Sequence, residues 1–362
     1  AKSDSLDKAQ IDSTSNRRGY SSMWLASCYF KLGDTVTAAS IDASYRFAPV
    51  DRRLTVKSDS LSQIGMEYYN RGDYAKAVEY LTQCAEIEKS VLGSEHIIYG
   101  ISVNEIALCC FYLDNYTEAI RLGDEALRIQ EKALGKEHPD YATSLNNLAL
   151  YNSSLGNYTE ALRLGEEALQ ILEKVFGKEH PAYATSLNNL ASYNSSLGNY
   201  TEALRLGEEA LRIAEKVFGK EHLYYATSLN DLANYNSLLG NYAEAIRLGT
   251  EALQIREKVF GKEHPDYATS LNNLALYNSS LGNYTEALRL GEEALQILEK
   301  VSGKEHPDYA TALSNLAGYN SSLGNYAEAV RLETEALQVR EKAFGKEHPD
   351  YALSLNSLAS YN

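Results

Sequence analysis

The most regular set of chemically active side chains in this 362-residue sequence is a ladder of histidines spaced 42 residues apart. Its members are His96, His138, His180, His222, His264, His306 and His348. A protein zinc site needs three or four ligands held close together, and no second histidine or cysteine lies at ligand spacing beside any of these. We therefore interpret the histidines as connector residues between helices, and we expect no metal and no other cofactor.

The other residues that could carry catalysis do not form a recognisable constellation. The cysteines, which show no Cys-x-x-Cys spacing, are Cys28, Cys84, Cys109 and Cys110. We interpret them as buried, reduced thiols. Carboxylate pairs such as Glu166-Glu167 lie at helical spacing from Arg163 and Lys174, which is typical of solvated charges rather than of a general acid and base. With no nucleophile elbow and no glycine-rich phosphate loop, we expect that this chain is not an enzyme.

A 42-residue repeat determines how any of these side chains could be positioned. The motif Gly-Asn-Tyr-x-Glu-Ala starts at Gly156, Gly198, Gly240, Gly282 and Gly324. The same register extends back through Asp114 and Gly72, and a degenerate unit ends near Gly33. A fixed period of this length predicts one array of stacked units rather than separate globular domains. We expect residues 1–54 to be a degenerate N-terminal capping region and residues 55–362 to be the tandem array, with its last repeat truncated.

Each unit has the hydrophobic spacing of two helices. Apolar residues at three- and four-residue steps run from Tyr141 to Leu155 and stop at Gly156. A second amphipathic run starts at Tyr158, with Gly177 as its expected C-cap. His180-Pro181 then opens the next unit, and proline suits the first position of a helix. The sequence therefore predicts a helix–turn–helix hairpin per unit.

These residues resemble the tetratricopeptide repeat family over residues 61–362 and, more weakly, over 20–50. In the unit 141–176 the matching positions are Leu148, Ala149, Gly156, Tyr158, Ala161 and Ala168. The units are longer than the usual 34 residues, and with their Gly-Lys-Glu-His-Pro connector they resemble the subtype found in kinesin light chains and in many bacterial arrays. The resemblance implies an all-α, right-handed α-solenoid that binds protein or peptide, with Tyr158 filling the gap between helices.

Two sets of residues depart from the family pattern. Asparagines stand where the family usually has an aromatic residue, with a tyrosine displaced by one position, as at Tyr151 and Asn152. Glycines also lie in the middle of the second helix, at Gly123, Gly165, Gly207, Gly249 and Gly291, and Glu333 breaks that series. Because a glycine inside a helix costs about 1 kcal/mol relative to alanine, we expect the backbones to pack closely at these glycines.

In the family, the first helix of each repeat lines the concave groove. The groove positions in unit 141–156 map to Thr143, Asn146, Leu150, Ser153 and Ser154. The resemblance thus makes Thr143, Asn146 and Ser153 candidate peptide-binding residues. Their equivalents in other repeats are Asn104, Asn188, Asn230, Asn272, Asn356, Thr185 and Thr227, and Ser314 is the exception to the asparagine ladder.

Two interpretations of the asparagine ladder stay open. A recent duplication copies every residue, so the ladder can be a by-product. Alternatively, each amide offers a donor and an acceptor to an extended peptide backbone, as in the kinesin-light-chain type of array that this sequence resembles. Between Tyr141 and Tyr326 the first helices contain, beyond the aspartates of their first turns, one charged residue, Asp231. Such a groove lacks the cations with which chaperone-binding members hold a C-terminal carboxylate.

The overall charge and composition limit the partners. The net charge is −15, which disfavours broad contact with nucleic acid or an anionic membrane. No stretch approaches the roughly 20 apolar residues that span a bilayer. We expect a protein or peptide partner, or another domain of the same full-length chain, and no nucleic-acid or membrane partner. Asn-x-Ser/Thr motifs at packed positions such as Asn152 and Asn194 favour a bacterial, cytoplasmic origin.

A second function class depends on the connector sequence alone. Bacterial arrays with the connector Gly-Lys-Glu-His-Pro-Asp-Tyr-Ala resemble those that precede caspase-like CHAT peptidase domains. The alternative to a peptide-binding scaffold is therefore the sensory or regulatory array of a larger bacterial enzyme, whose C-terminal peptidase domain is not present in this chain.

Overall fold

Helical hairpins follow one another along the chain with the 42-residue period. The computed structural model describes residues 52–361 and, in that part, contains fifteen helices and no strand. The first helices of the repeats are α1 (Arg52–Asn70), α3 (Ile97–Tyr112), α5 (Pro139–Ser154), α7 (Pro181–Ser196), α9 (Leu223–Leu238), α11 (Pro265–Ser280), α13 (Pro307–Ser322) and α15 (Pro349–Tyr361). The second helices are α2 (Tyr74–Leu92), α4 (Tyr116–Leu134), α6 (Tyr158–Phe176), α8 (Tyr200–Phe218), α10 (Tyr242–Phe260), α12 (Tyr284–Val301) and α14 (Tyr326–Phe344). The predicted all-α repeat solenoid is confirmed.

The helix ends follow the residues that the sequence places there. Gly177 ends α6 with φ 78°, a left-handed conformation that glycine adopts without strain, and its N–H donates to the carbonyl of Glu173. Pro181 then occupies the first turn of α7, where its missing N–H leaves no helical hydrogen bond unmade. Each hairpin is therefore fixed by local residues before any packing between repeats.

The chain divides into two compact units between Lys178 and Glu179. In the first unit, helices α1 to α6 pack in sequence order, and α3 also touches α5. In the second unit, helices α7 to α15 pack in the same order, with additional contacts of α7 with α9, α9 with α11, and α11 with α13. Within each unit, successive first helices therefore lie side by side and share a surface.

The departures from the family pattern compensate one another in the core. Tyr151 is fully buried, and a Cβ at Gly123 would lie 3.1 Å from Cδ1 of Leu148 and 3.5 Å from Cε2 of Tyr151. The buried amide of Asn152 donates to the carbonyl of Leu148 at 2.9 Å. The close packing expected at the mid-helix glycine is confirmed, and the leucine and the displaced tyrosine of the next first helix together leave little room for a Cβ there. Tyr158, by contrast, is only half-buried, so the fully buried aromatic side chain is Tyr151.

The second helices present a charged outer face. Arg163 pairs with Glu160 at 2.7 Å and with Glu167 at 3.3 Å along the same helix, and Lys174 pairs with Glu137 of the preceding connector. The pattern recurs in the following repeats. Exposed pairs of this kind contribute little to stability individually. Their consequence is that most charge lies on the second helices and connectors, away from the first helices.

Glu333, which breaks the glycine series, belongs to a buried polar network. Its Oε1 accepts a hydrogen bond from Ser314 at 3.0 Å and lies 3.5 Å from Arg340, which also donates to Ser314 at 3.0 Å and to Ser354. Ser314 is the exception to the asparagine ladder. Two departures that looked separate in the sequence are therefore partners of one buried arginine.

Some predictions concern residues that the structure does not describe. Residues 1–51 of the expected capping region, and Cys28 among the cysteines, lie outside the described part. Cys84, Cys109 and Cys110 lie inside it and are buried free thiols, as predicted. Among the described helices, none is long and apolar enough to cross a membrane.

Candidate binding groove

A groove of about 450 Å³ lies between the first helices α7 and α9 of the second unit, and we call it the α7–α9 groove. Its walls are Thr185, Asn188, Asn189, Ser192, Ser195 and Ser196 from α7, and Tyr224, Thr227, Asp231, Asn234 and Tyr235 from α9. The α7 residues include every position mapped onto that repeat from the family's groove. All the lining side chains are polar, and Asp231 is the one ionisable carboxyl among them.

Hydrogen bonds between the two helices set the floor of this groove. The hydroxyl of Tyr224 donates to Oγ1 of Thr185 at 2.9 Å, and Nδ2 of Asn188 donates to Oγ of Ser228 at 3.0 Å. Thr185 Oγ1 also donates back to the carbonyl of Pro181 at 3.1 Å. The floor therefore consists of partly satisfied hydroxyl and amide groups, which retain capacity for further hydrogen bonds.

Asp231 is a half-buried carboxylate in the wall of the groove. Burial raises its pKa to about 6, and the nearby Arg256 guanidinium offsets part of that rise. Arg256 also donates through Nη1 to Oγ of Ser270 at 2.5 Å and to the carbonyl of Asp266 at 3.3 Å. Within the described residues, no hydrogen bond or ion pair reaches the carboxylate of Asp231.

The predicted asparagine ladder lies half-buried along the first helices. In the second unit the ladder asparagines join successive repeats: Asn188 donates to Ser228, and Asn230 accepts from Nδ2 of Asn273 at 3.0 Å. Oδ1 of Asn104 and Oδ1 of Asn272 are buried and receive no hydrogen bond from the described residues. Asn146 is half-buried in the first unit, and Asn356 is exposed on α15. The amides therefore contribute to the contact between repeats, which the sequence interpretation did not foresee.

The predicted hydroxyl residues lie nearer to solvent. Thr143, Thr185 and Thr227 are exposed, and Ser153 is half-buried. The structure brings Thr185 and Thr227 together in the α7–α9 groove with Asn188. The other candidates lie in the first unit and do not line this groove: Thr143, Asn146, Ser153 and Asn104. The second unit thus contains the densest group of predicted site residues.

Sequence reasoning missed two features of the first helices. Tyr224 and Asn234 line the groove, and their signal was a departure from the repeat at positions where other copies have Asp266 or Leu276. Glu105, at the position equivalent to Asp231, is buried in the first unit. Its burial, and to a smaller extent the negative charge of the nearby Glu88, raises its pKa to about 8. In the sequence, the two carboxylates stand out as departures only when the copies are aligned position by position.

The histidine ladder has a structural role that agrees with its interpretation as a connector feature. His138 is the N-cap of α5, and its Nδ1 accepts the backbone N–H of Asp140 at 3.1 Å. His306 caps α13 in the same way through Asp308 at 3.2 Å. Among residues 52–361, no group of three or more histidine, cysteine or carboxylate side chains could hold a metal ion. The ladder therefore caps helices.

The profile of the tetratricopeptide repeat family matches nearly all of the described residues. One version matches residues 99–174, 152–216, 188–258, 238–300, 280–342 and 308–362, and a second matches 58–98. No curated protein matches the chain.

Several solved structures are similar to this chain. The putative kinesin light chain of Podosopora anserina, with nearly identical TPR-like repeats, is 29% identical with a TM-score of 0.51; the match covers 57% of this chain and 97% of that one. BtubC (BKLC) from P. vanneervenii is 23% identical with a TM-score of 0.54, over 66% of this chain and 94% of that one. The apo form of RapI is 18% identical with a TM-score of 0.62, over 79% and 98%. The last two show the same fold.

Proposed function

Because the chain belongs to the tetratricopeptide repeat family, whose repeats serve as scaffolds for contact with other proteins, we propose that its first helices bind an extended peptide segment. The segment lies along the groove that these helices share. Hydroxyl and amide groups of the groove form hydrogen bonds with the peptide main chain, so the site recognises an extended backbone. Catalysis has no part in this function.

The α7–α9 groove is the observation that carries the proposal. It is open to solvent along exposed Thr185 and Thr227, and half-buried Asn188 and Asn189 lie between them. An extended backbone carries one donor and one acceptor per residue, and an amide side chain can serve both. A groove lined by such groups suits peptide main chain better than an apolar helix, which needs an apolar cleft.

Charge supports the same partner class. The acidic groups concentrate on second helices and connectors, where Arg163 and its equivalents already pair with glutamates. The groove contains no lysine or arginine, so it is unsuited to a C-terminal carboxylate or a phosphate backbone. The alternative function, regulation of a caspase-like peptidase domain, rests on the connector sequence alone, and the test below does not depend on it.

The test starts from random 12-residue peptides displayed on phage and selected against the folded chain. Affinities of a selected peptide are then measured by calorimetry for the wild type and for the triple variant Asn188→Ala, Asn230→Ala, Asn272→Ala. Each lost amide–backbone hydrogen bond is worth about 0.5–1.5 kcal/mol, so we expect affinity to fall at least about tenfold. Because the groove is nearly uncharged, we expect the affinity of a neutral peptide to change little with salt.

A second variant separates lost binding from lost folding. In the double variant Ser192→Leu, Asn234→Leu, both positions gain the leucine that Leu150 and Leu276 already provide in other repeats, so the fold accepts it. The added side chains fill the α7–α9 groove, and we expect weaker peptide binding with unchanged helicity. Glu208→Gln, an exposed change on α8 outside the groove, is the matched control. Peptides that bind all three variants as tightly as the wild type would move the site off the groove.

A further inference from the structure

The two repeats that form the α7–α9 groove differ from other copies at several positions, and four of these face the groove. Tyr224 replaces the aspartate of other copies, such as Asp266, and Asn234 replaces the leucine seen at Leu276. Asp231 replaces an asparagine, whose copies are Asn147, Asn189, Asn273 and Asn315. On the other wall, Ser192 stands where Leu150 and Leu276 stand elsewhere. All four of these residues line the groove, whereas other changes in these repeats, such as Leu223, Leu238 and Arg256, lie outside its walls.

Three of these changes open and shape the space. Ser192 and Asn234 each replace a leucine side chain with a smaller polar one, which removes apolar bulk from the two walls. Tyr224 contributes a ring whose hydroxyl is fixed by donation to Thr185 at 2.9 Å and lies 3.5 Å from Nδ2 of Asn188. The result is a pocket with polar walls, one of whose lining residues is a tyrosine with a fixed hydroxyl.

The fourth change places an unpaired carboxylate in that pocket. At the next step along the array, Asn273 donates to Asn230 across the first helices at 3.0 Å. Asp231 has no N–H with which to repeat that bond to Asn188, whose amide donates to Ser228 instead. The carboxylate of Asp231 therefore lines the groove without a hydrogen bond or ion pair from the described residues, and the charge of Arg256 offsets only part of the effect of its burial.

We propose that the pocket of the α7–α9 groove takes a cationic side chain, lysine or arginine, of the bound peptide, with Asp231 as its counter-ion. This inference rests on the proposed peptide-binding function. The cation donates a charge-assisted hydrogen bond to the carboxylate of Asp231, and the polar walls of the pocket leave room for its side chain. The amide and hydroxyl oxygens around the carboxylate accept the remaining N–H groups. Because Asp231 is the one charged residue that lines the α7–α9 groove, it also fixes the register in which the peptide lies.

The test repeats the phage selection with three proteins: the wild type, Asp231→Asn and the control Glu208→Gln. Asp231→Asn restores the residue found in other copies and keeps the side-chain shape, so the fold is retained. We expect wild type and Glu208→Gln to select peptides with lysine or arginine enriched at one fixed position. Asp231→Asn is expected to lose that enrichment while still selecting peptides.

Calorimetry then measures how much the cationic side chain contributes to the affinity of the peptide. For a wild-type-selected peptide, replacing its fixed lysine or arginine by glutamine is expected to lower affinity for the wild type tenfold or more, because the buried carboxylate is left unpaired. The same replacement is expected to change affinity for Asp231→Asn less than threefold. Exchanging lysine for arginine in the peptide shows which cation the pocket prefers.

The outcomes separate this inference from the proposal beneath it. If selected peptides compete for the groove but carry no position-specific cation, or keep it against Asp231→Asn, the cationic pocket is wrong and the peptide-binding function stands. If the wild type selects no peptide, or its peptides bind the Ser192→Leu, Asn234→Leu variant unchanged, both are wrong.

Discussion

At the scale of single residues, the buried carboxyl of Asp231 lowers the stability of the folded chain at neutral pH. Burial raises the pKa of its carboxyl from 3.8 to about 6, so the folded chain holds that proton more tightly than the unfolded chain does. Ionisation therefore disfavours folding above pH 6, and protonation relieves this as the pH falls toward 4. Asn273, at the equivalent position, has no such cost. Retaining a destabilising group at one copy is what a binding site requires.

Asp231→Asn is accordingly expected to stabilise the chain at pH 7.5, by about 1–3 kcal/mol from the size of the shift. The gain should shrink as the pH falls through 6 and vanish only below the unfolded-state pKa of 3.8, where the wild-type carboxyl is protonated in both states. Urea unfolding of both proteins at several pH values measures the difference. Glu208→Gln, which removes an exposed carboxyl, is expected to show no gain in stability at any of these pH values. An Asp231→Asn gain that is constant from pH 4 to 7.5 would contradict the origin in ionisation.

How far the sequence predicts individual residues depends on whether their partners are local. The histidine ladder could be interpreted as a connector feature, because its capping partner, such as the N–H of Asp140 for His138, lies two residues away. The asparagine ladder could be located on the groove helix but not assigned its bonds. The partner of Asn230 is Asn273, 43 residues away, and its distance depends on how closely successive repeats pack.

At the scale of helices, the mid-helix glycines allow second helices to approach the first helices of the next repeat. A Cβ at Gly291 would lie 2.9 Å from Cδ2 of Leu316 and 3.3 Å from Cε2 of Tyr319. The sequence predicted such an approach from the cost of glycine alone, but it could not name the tyrosine that requires it. Nor could it join Ser314 to Glu333, because their direct hydrogen bond and their shared partner Arg340 depend on how the two helices of the hairpin pack.

A matched pair of alanine substitutions tests this close approach. Gly318 also lies inside a helix, but the nearest atom to its Cβ would be the Tyr361 hydroxyl at 3.8 Å. Gly318→Ala is therefore expected to gain the full helix-propensity difference of about 1 kcal/mol. Gly291→Ala is expected to fall short of that by about 1 kcal/mol or more, because Leu316 must move. Chemical denaturation of both variants measures the difference, and an equal gain at both positions would show that α12 and α13 do not pack tightly there.

At the scale of the whole molecule, repetition separates two chemistries on opposite helices. The second helices repeat glutamate–arginine pairs such as Glu244 with Arg247 at 2.7 Å, while the first helices of the second unit repeat threonine, serine and asparagine. A one-residue change in any copy therefore alters one place on a surface that is otherwise uniform. The fold was predictable because every copy carries the same signal. The specific site was not, because it lies in the differences between copies.

Because each repeat contacts only its neighbours within a unit, stability should be close to a sum over repeats and interfaces. Deleting residues 241–282 tests this in the second unit, since it joins Gly240 to Asn283 and restores a Gly-Asn-Tyr turn. Helix α9 then pairs with α12, whose core residues Ala287, Leu290 and Ala294 match those of the deleted α10. We expect a folded chain with two helices fewer, a lower unfolding midpoint, and an intact α7–α9 groove, all of whose lining residues remain. Circular dichroism measures helicity per residue, and the selected peptide reports the groove. A collapse of helicity beyond the deleted helices would mean that the second unit folds only as a whole, and the additive description of its stability would then be wrong.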